Sequence, residues 1–165
     1  MEFRKACSED VECIVEIILG AQRRLAASGI DQWQNGYPNR PRVEEDIARG
    51  YGRVLLGDGE VVAYGALTYD GERAYEGLQG GSWLSHGGDY LTVHRLCVVD
   101  SAVGCGLGRR FMLEAEGEAR LRVASVRVDT HPDNRVMRGL IASLGYTYCG
   151  TVVYESLRLA YEKIL

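Results

Sequence analysis

Three glycines, Gly104, Gly106 and Gly108, stand between an apolar run ending near Val99 and a stretch with apolar residues at Leu107, Phe111, Met112, Ala115 and Ala119. This order predicts a strand, a tight turn and a helix whose first N–H groups have no intrahelical partner. A helix N-terminus carries the positive end of the dipole, and glycines remove the side chains that would keep a pyrophosphate from the amides. Arg109 and Arg110 add fixed positive charge. The chemistry implied is phosphate binding, against the plainer reading of a tight loop. Two familiar glycine patterns fit poorly. No Lys-Ser/Thr follows the last glycine, as a P-loop requires, and Arg109 fills the third-glycine slot of the dinucleotide fingerprint.

Other residues with chemical potential lie around this turn. His94 falls on the strand that feeds it and titrates in a useful range, although a packed sheet histidine is the competing reading. Period-two alternation places Thr92, His94, Leu96 and Val98 on one face, and Val93, Arg95 and Cys97 on the other, where Arg95 reads as a structural ion-pair partner. An irregular stretch over residues 30–41 carries Asp31, Trp33 and Tyr37, and a glycine-rich stretch over 70–89 carries Tyr75, Trp83 and His86. Aromatics with an acid suit a cationic amine, while Trp33 alone would equally pin its loop to the core. The five cysteines are odd in number and lack a Cys-x-x-Cys pair, so neither a disulfide framework nor a zinc site is expected. Cys97 and Cys149 read as small core residues and Cys105 as part of the turn.

The elements that must position these residues follow from periodicity. A strand over 3–6 leads to a helix started by Ser8, Glu9 and Asp10, with a stripe of Val11, Ile14, Ile18, Ala21 and Leu25 and a stop at Gly29. A short helix over 43–50 precedes strands over 53–57 and 60–69, joined at Asp58-Gly59, a strong hairpin signal. Strands over 90–99 and 124–130 flank the helix of the glycine turn. A helix follows with Val136, Met137, Leu140, Ile141 and Leu144 on one side, then strands over 146–150 and 153–159. The order β-α-α-β-β-β-α-β-α-β-β predicts an α/β fold with a mixed, mostly antiparallel central sheet and helices on both faces, as a single domain over residues 1–165.

The segment Val103-Gly104-Cys105-Gly106-Leu107-Gly108 resembles the cofactor-binding motif of the GNAT superfamily of acyl-CoA-dependent N-acetyltransferases, Gln/Arg-x-x-Gly-x-Gly/Ala at the start of a helix; Val103 replaces the usual first residue. A second block, from Asn134 through Met137, Leu140 and Gly145 to Tyr146, resembles the family's Asn-x-x-Ala/Met-x-x-Leu-Tyr-x-x-x-Gly-Phe helix. The resemblance implies acetyl-CoA as co-substrate, no metal, and cofactor contacts from Leu96, Cys97, Val98, Val103, Gly104, Cys105, Gly106, Leu107, Gly108, Arg109 and Asn134. For Asn134, a helix cap is the competing role. It implies direct attack of an amine on the thioester. Where many members carry a glutamate base this sequence has Thr92, and where many carry a tyrosine acid it has Ile141, which leaves His94 with Thr92 as the catalytic candidates. Asp31, Trp33, Tyr37, Tyr75 and Trp83 are the candidates for the acceptor side.

A net charge of −4 argues against a nucleic-acid footprint, and 46% hydrophobic with 25% charged residues fits an ordinary globular chain. No apolar run reaches a membrane span, and Met1 to Lys5 lead into structure without an apolar leader, so a cytoplasmic location is expected. The expected activity is acetyl transfer to a primary amine of a small molecule. Acetylation of a protein N-terminus or lysine, and a non-catalytic CoA sensor, are the alternatives; a homodimer stays open.

Overall fold

The computed structural model describes residues 1–87 and 89–165. Among the described residues, seven strands and four α-helices follow in the expected order: β1 (Glu2–Lys5), α1 (Val11–Ala27), α2 (Arg40–Ala48), β2 (Gly52–Gly57), β3 (Glu60–Thr68), β4 (Tyr90–Val98), α3 (Leu107–Ala119), β5 (Ser125–Thr130), α4 (Arg135–Ser143), β6 (Thr147–Val153) and β7 (Leu157–Ile164). The strands form one sheet in the order β1-β2-β3-β4-β5-β7-β6. β1/β2, β2/β3, β5/β7 and β6/β7 pair antiparallel and β4/β5 parallel, so the sheet is mixed and mostly antiparallel. Contacts divide the chain into two units, Met1–Leu67 with His94–Glu114, and Thr68–Val93 with Ala115–Leu165.

In the first unit, α1 begins with a device that the Ser8 reading missed. The backbone N–H of Cys7 donates to Asp10 Oδ2 at 2.8 Å, and Arg4 donates to both oxygens of Asp10 at 2.7 and 2.9 Å. The Arg4 hydrogen bonds lead the effects that hold the Asp10 carboxyl down at about 2, and they tie β1 to the start of the helix. Ile14, Ile18 and Ala21 are buried as expected, and Gly29 ends the helix at φ 70° while Ile30 N–H reaches back to the Leu25 carbonyl. α2 starts three residues earlier than its apolar pattern indicated. Asn39 Oδ1 accepts the Arg42 N–H at 3.2 Å and Pro41 occupies the first turn, a start that needs no apolar residue. The β2–β3 turn has Asp58 at φ 51° and Gly59 at φ 86°, the doubly left-handed geometry that matches strand twist.

Alternation along β3 assigns the two faces. Tyr64 packs with Ile14, Ile18, Val43, Val54 and Cys97 against α1 and α2. Gly65 points the other way, where a Cβ would lie 2.7 Å from the Phe111 ring of α3. Phe111 also meets Phe3 edge-on at 5.2 Å. Helices therefore cover both faces, and Gly65 is small because α3 lies against it.

In the second unit, β5 is the organising strand. Its even positions, Val126 and Val128, are buried and apolar, whereas its odd positions, Ser125, Arg127 and Asp129, point polar groups at the segment over residues 70–89. Glu162 of β7 stands opposite Arg127 and is fully buried. It accepts Arg127 Nε at 3.0 Å, Ser125 Oγ at 2.7 Å, Ser85 Oγ at 2.5 Å and the N–H groups of Leu84 and Ser85. The 70–89 segment, read from sequence as one long loop and including residue 88 outside the described residues, contains a 3-10 turn over Arg73–Gly77 and a bridge between Gln79 and Thr151. Gly81 allows that close approach, since a Cβ there would sit 2.0 Å from the Cys149 carbonyl oxygen.

The sequence reading also broke the last hairpin too early. Gly150, taken as a strand end, lies inside β6 beside a register shift at φ 143°, and the turn falls between Val153 and Leu157. A bulge keeps the ladder going past the glycine. Among the described residues, no helix is long and apolar enough to cross a membrane.

Burial of Glu162 with Arg127 makes removal of one partner costly, because the other charge stays behind unpaired. Glu162→Ala is expected to destabilise the protein by about 3–5 kcal/mol in urea unfolding. A loss below about 1 kcal/mol, the range of surface pairs, would show that the pair does not organise this unit.

Candidate active site

The glycine turn is anchored from both ends. β4 passes through a 3-10 turn, Asp100–Ala102, into Gly104 at φ 82° and Gly106 at φ 81°. These are left-handed conformations that L-residues with side chains resist, and a Cβ at either position would meet nothing within 4 Å. The glycines are therefore required by backbone shape, with open space beside them. α3 starts at Leu107, one residue ahead of the last glycine, and its Arg110 N–H donates to the Gly106 carbonyl at 3.0 Å. The N–H groups of residues 106–109 precede that bond and have no intrahelical acceptor. Leu107 and Phe111 are buried and fix the helix, while Val103, Cys105 and Arg109 are exposed.

Before the turn, Arg24 of α1 donates to the Val98 carbonyl at 3.1 Å and pairs with Asp100, which Arg23 also approaches at 3.6 Å. Gly20 makes room for this clamp, since a Cβ there would lie 2.6 Å from Asp100 Oδ1.

β4 departs from simple alternation. Arg95 is left-handed at φ 57°, so a two-residue count carried from Leu96 back to Thr92 does not hold across it. The expected common face of Thr92, His94, Leu96 and Val98 is corrected on this ground. Arg95 itself is the structural partner that the sequence indicated. It donates to both oxygens of buried Asp46 at 2.9 and 2.8 Å and to the Tyr37 hydroxyl at 2.8 Å, while the Tyr64 hydroxyl donates to Asp46 at 2.6 Å. Burial, reinforced by Arg95 and Arg42, pushes His94 down to about 3. Burial likewise pushes the Cys97 thiol up to about 12, as its place in the core requires. Thr92 is fully buried, and its hydroxyl has no hydrogen-bond partner among the described residues. Leu96 and Val98 are half-buried.

The acceptor candidates divide between the units. In the first, Asp31 is exposed, Trp33 is half-buried against the α1 core, and Tyr37 accepts from Arg95. In the second, Tyr75 and Trp83 come together, with ring centroids 5.0 Å apart, on the wall of a cavity of about 1170 Å³. Tyr90, the acidic residues Asp70, Glu72, Glu76 and Asp89, and the basic residues Arg73 and Arg127 share that wall. The Arg127 guanidinium lies 4.1 Å from the Trp83 ring centre and 3.9 Å from that of Tyr90. Its charge is met by Glu162, where burial opposes ionisation but hydrogen bonds from Ser85, Ser125 and Arg127 outweigh it and hold the carboxyl low.

Sequence reasoning missed Arg127, Asp129 and Glu162. The signal was present in Ser125-Val126-Arg127-Val128-Asp129, where polar residues alternate with valines. Also in the second unit, Asn134 Oδ1 caps α4 by accepting the Met137 N–H at 3.1 Å, and Ile141 is a core residue. Among the described residues, no cluster of His, Cys, Asp and Glu could hold a metal ion.

The model of the acetyltransferase (GNAT) family matches residues 23–146. A GNAT-family acetyltransferase from Streptococcus agalactiae has a solved structure that is 36% identical, with a TM-score of 0.93 over 99% of this chain and 95% of that one. Two further structures share the fold. A ribosomal-protein-alanine N-acetyltransferase from Brucella melitensis is 21% identical with a TM-score of 0.68 over 100% of both chains. The PaiA N-acetyltransferase of Thermoplasma acidophilum, in complex with coenzyme A, is 16% identical with a TM-score of 0.73 over 99% of this chain and 98% of that one. No curated protein matches the sequence.

The environment of His94 has a measurable consequence. An unfolded chain takes up this proton below about pH 6.5, whereas the folded chain does so only near 3, so folding stability falls as pH drops through that window. His94→Gln is expected to flatten this dependence, and NMR titration should find His94 still neutral at pH 5. A His94 midpoint near 6.5 would contradict the burial on which this rests.

Proposed function

The chain belongs to the GNAT family of acetyltransferases, and on that premise we propose that residues 1–165 act as one N-acetyltransferase domain that passes the acetyl group of acetyl-CoA to a primary amine of a small molecule. The observation that carries the reading is the turn before α3. Two left-handed glycines with open space beside them precede a helix N-terminus held by buried Leu107 and Phe111. A pyrophosphate fits such a site, because the N–H groups of residues 106–109 and the helix dipole both favour an anion.

When bound, the thioester supplies an acetyl group already activated for transfer. Val103, Gly104, Cys105, Gly106, Leu107, Gly108 and Arg109 would hold the pyrophosphate end. Backbone groups of Leu96, Cys97 and Val98 would align the arm, the Cys97 side chain being committed to the core. Asn134 is the further contact that the family resemblance implies, beside its capping role. Holding both reactants in place supplies much of the rate.

The amine acceptor is favoured by the second unit's cavity. Four acidic residues, Asp70, Glu72, Glu76 and Asp89, line it against Arg73 and Arg127, and Arg127 is already met by Glu162, so the balance of charge favours a cationic amine. Of the catalytic candidates, Thr92 is no base near neutral pH, and His94 holds a proton only near pH 3. The proton must therefore go elsewhere or to His94 only transiently.

Acetyl-CoA is expected to raise the thermal midpoint of the parent protein, and Gly106→Asp to abolish that shift. Aspartate tolerates the left-handed region better than most residues, at a cost of about 1–2 kcal/mol, and its charge faces the pyrophosphate. A folded Gly106→Asp protein that binds acetyl-CoA as tightly as the parent would remove the proposed cradle. Thiol release with alkyl amines tests transfer, and stabilisation without turnover would favour the sensor.

A further inference from the structure

Where a strand gives way to an anion-binding turn, the turn is pre-set only if the chain leaves the sheet at a fixed point and in a fixed direction. In the first unit one side chain of α1 holds the chain on both sides of that point. Arg24 Nη2 donates to the carbonyl of Val98, the last residue of β4, at 3.1 Å, and the same guanidinium pairs with the carboxylate of Asp100, two residues on. Between these two grips the Val99 N–H donates to the Val62 carbonyl of β3 at 2.9 Å. The turn then grows by short steps, with Ala102 N–H bonded to the Val99 carbonyl at 3.1 Å, Val103 N–H to the Asp100 carbonyl at 3.4 Å and Cys105 N–H to the Ala102 carbonyl at 3.2 Å. Each link starts from the one before, so where Val98 and Asp100 are held sets where Gly104 and Gly106 fall.

Three positions of α1 serve this contact. Gly20, Arg23 and Arg24 stand at i, i+3 and i+4 and so share one side of the helix. Gly20 is buried, and a Cβ there would lie 2.6 and 2.9 Å from the two carboxylate oxygens of Asp100. A glycine in the middle of a helix weakens it relative to alanine, and here the carboxylate that fills the space accounts for it. Arg23 approaches the same carboxylate at 3.6 Å. Left alone, Asp100 would present negative charge beside a turn suited to an anion; the two guanidinium groups offset it.

Folding stability does not explain the arrangement. The Asp100 side chain is 55% exposed and that of Arg24 35%, and ion pairs this open contribute little to stability. What the pair fixes is direction, and a turn already in place has little ordering left to undergo when an anion binds. We propose that Arg24 is a positioning residue for the cofactor: with Asp100 seated against Gly20, it sets the glycine turn in the geometry that receives the pyrophosphate of acetyl-CoA. The proposal rests on the cofactor reading above.

The test is calorimetric titration with acetyl-CoA, alongside urea unfolding of each ligand-free variant. Arg24→Ala should raise the Kd for acetyl-CoA by about 2–30-fold, the range for a residue that acts on a site without touching its ligand. Gly20→Ala keeps every charge but drives the Asp100 carboxylate from its place. It should raise the Kd within the same range while the ligand-free protein stays as stable as the parent or more so, because alanine is the better helix former. A contact that served stability alone would not separate affinity from stability in this way. A folded Arg24→Ala protein with the parental Kd would overturn the proposal. So would a Gly20→Ala protein with the parental Kd, and this second variant decides the matter if Arg24→Ala fails to fold. A parent that does not bind acetyl-CoA would instead overturn the cofactor reading, and the role of Arg24 with it.

Discussion

A carboxylate taken out of water must be met by donors, and much of each unit is arranged around that requirement. In the first unit Asp46 is met by two nitrogens of Arg95 and the Tyr64 hydroxyl, and Asp10 by Arg4 and the Cys7 N–H. In the second, Glu162 collects Arg127, two serine hydroxyls and two backbone N–H groups. The Asp46 and Glu162 clusters join segments distant in sequence. Asp46 ties α2 to β3 and β4, and Glu162 ties the 70–89 segment to β5 and β7. The left-handed backbone at Arg95 accompanies the first of these: the strain of a non-glycine residue there is offset by a bidentate pair that Asp46 would otherwise lack.

The same requirement explains how a glycine-rich segment becomes a cavity wall. Twenty residues with that composition have little intrinsic reason to order, since fixing each backbone unit costs roughly 1–2 kcal/mol of entropy. The segment is ordered by the contacts it completes. Ser85 and the Leu84 N–H satisfy Glu162, Tyr75 satisfies Asp129, and Gln79 pairs with the exposed edge at Thr151. Trp83 and Tyr90 then flank the Arg127 guanidinium, so the rings of the wall are positioned by the ion pair behind them.

The glycine turn obeys the opposite logic. Its N–H groups precede the first bond of α3 at an exposed helix start, where water can reach them. What is fixed is the frame: Arg24 and Asp100 on one side, Leu107 and Phe111 on the other. A helix start framed in this way suits anion binding, because little ordering remains to be done when the anion arrives.

How much of this was legible depended on whether a feature is local. The order of elements, the Asp58-Gly59 hairpin, the stop at Gly29 and the glycine turn all follow from short-range rules of backbone conformation and periodicity, and each could be read from neighbouring residues. The cap of α1, the early start of α2 and the bulge at Gly150 were misread where a polar device or a glycine did work that periodicity does not register. The buried network was beyond reach. Nothing in the sequence states that Glu162 stands opposite Arg127 or that Tyr75 reaches Asp129 across fifty-four positions. Sequence alone determined that a helix begins at an open glycine turn and that His94 lies on the strand before it. Tertiary structure alone decided that His94 is held neutral, that Tyr75 and Trp83 share a wall, and that Asp129 sits among tyrosines. Burial and the charges brought near by folding set proton affinity, and both are properties of the packed chain rather than of any stretch of it.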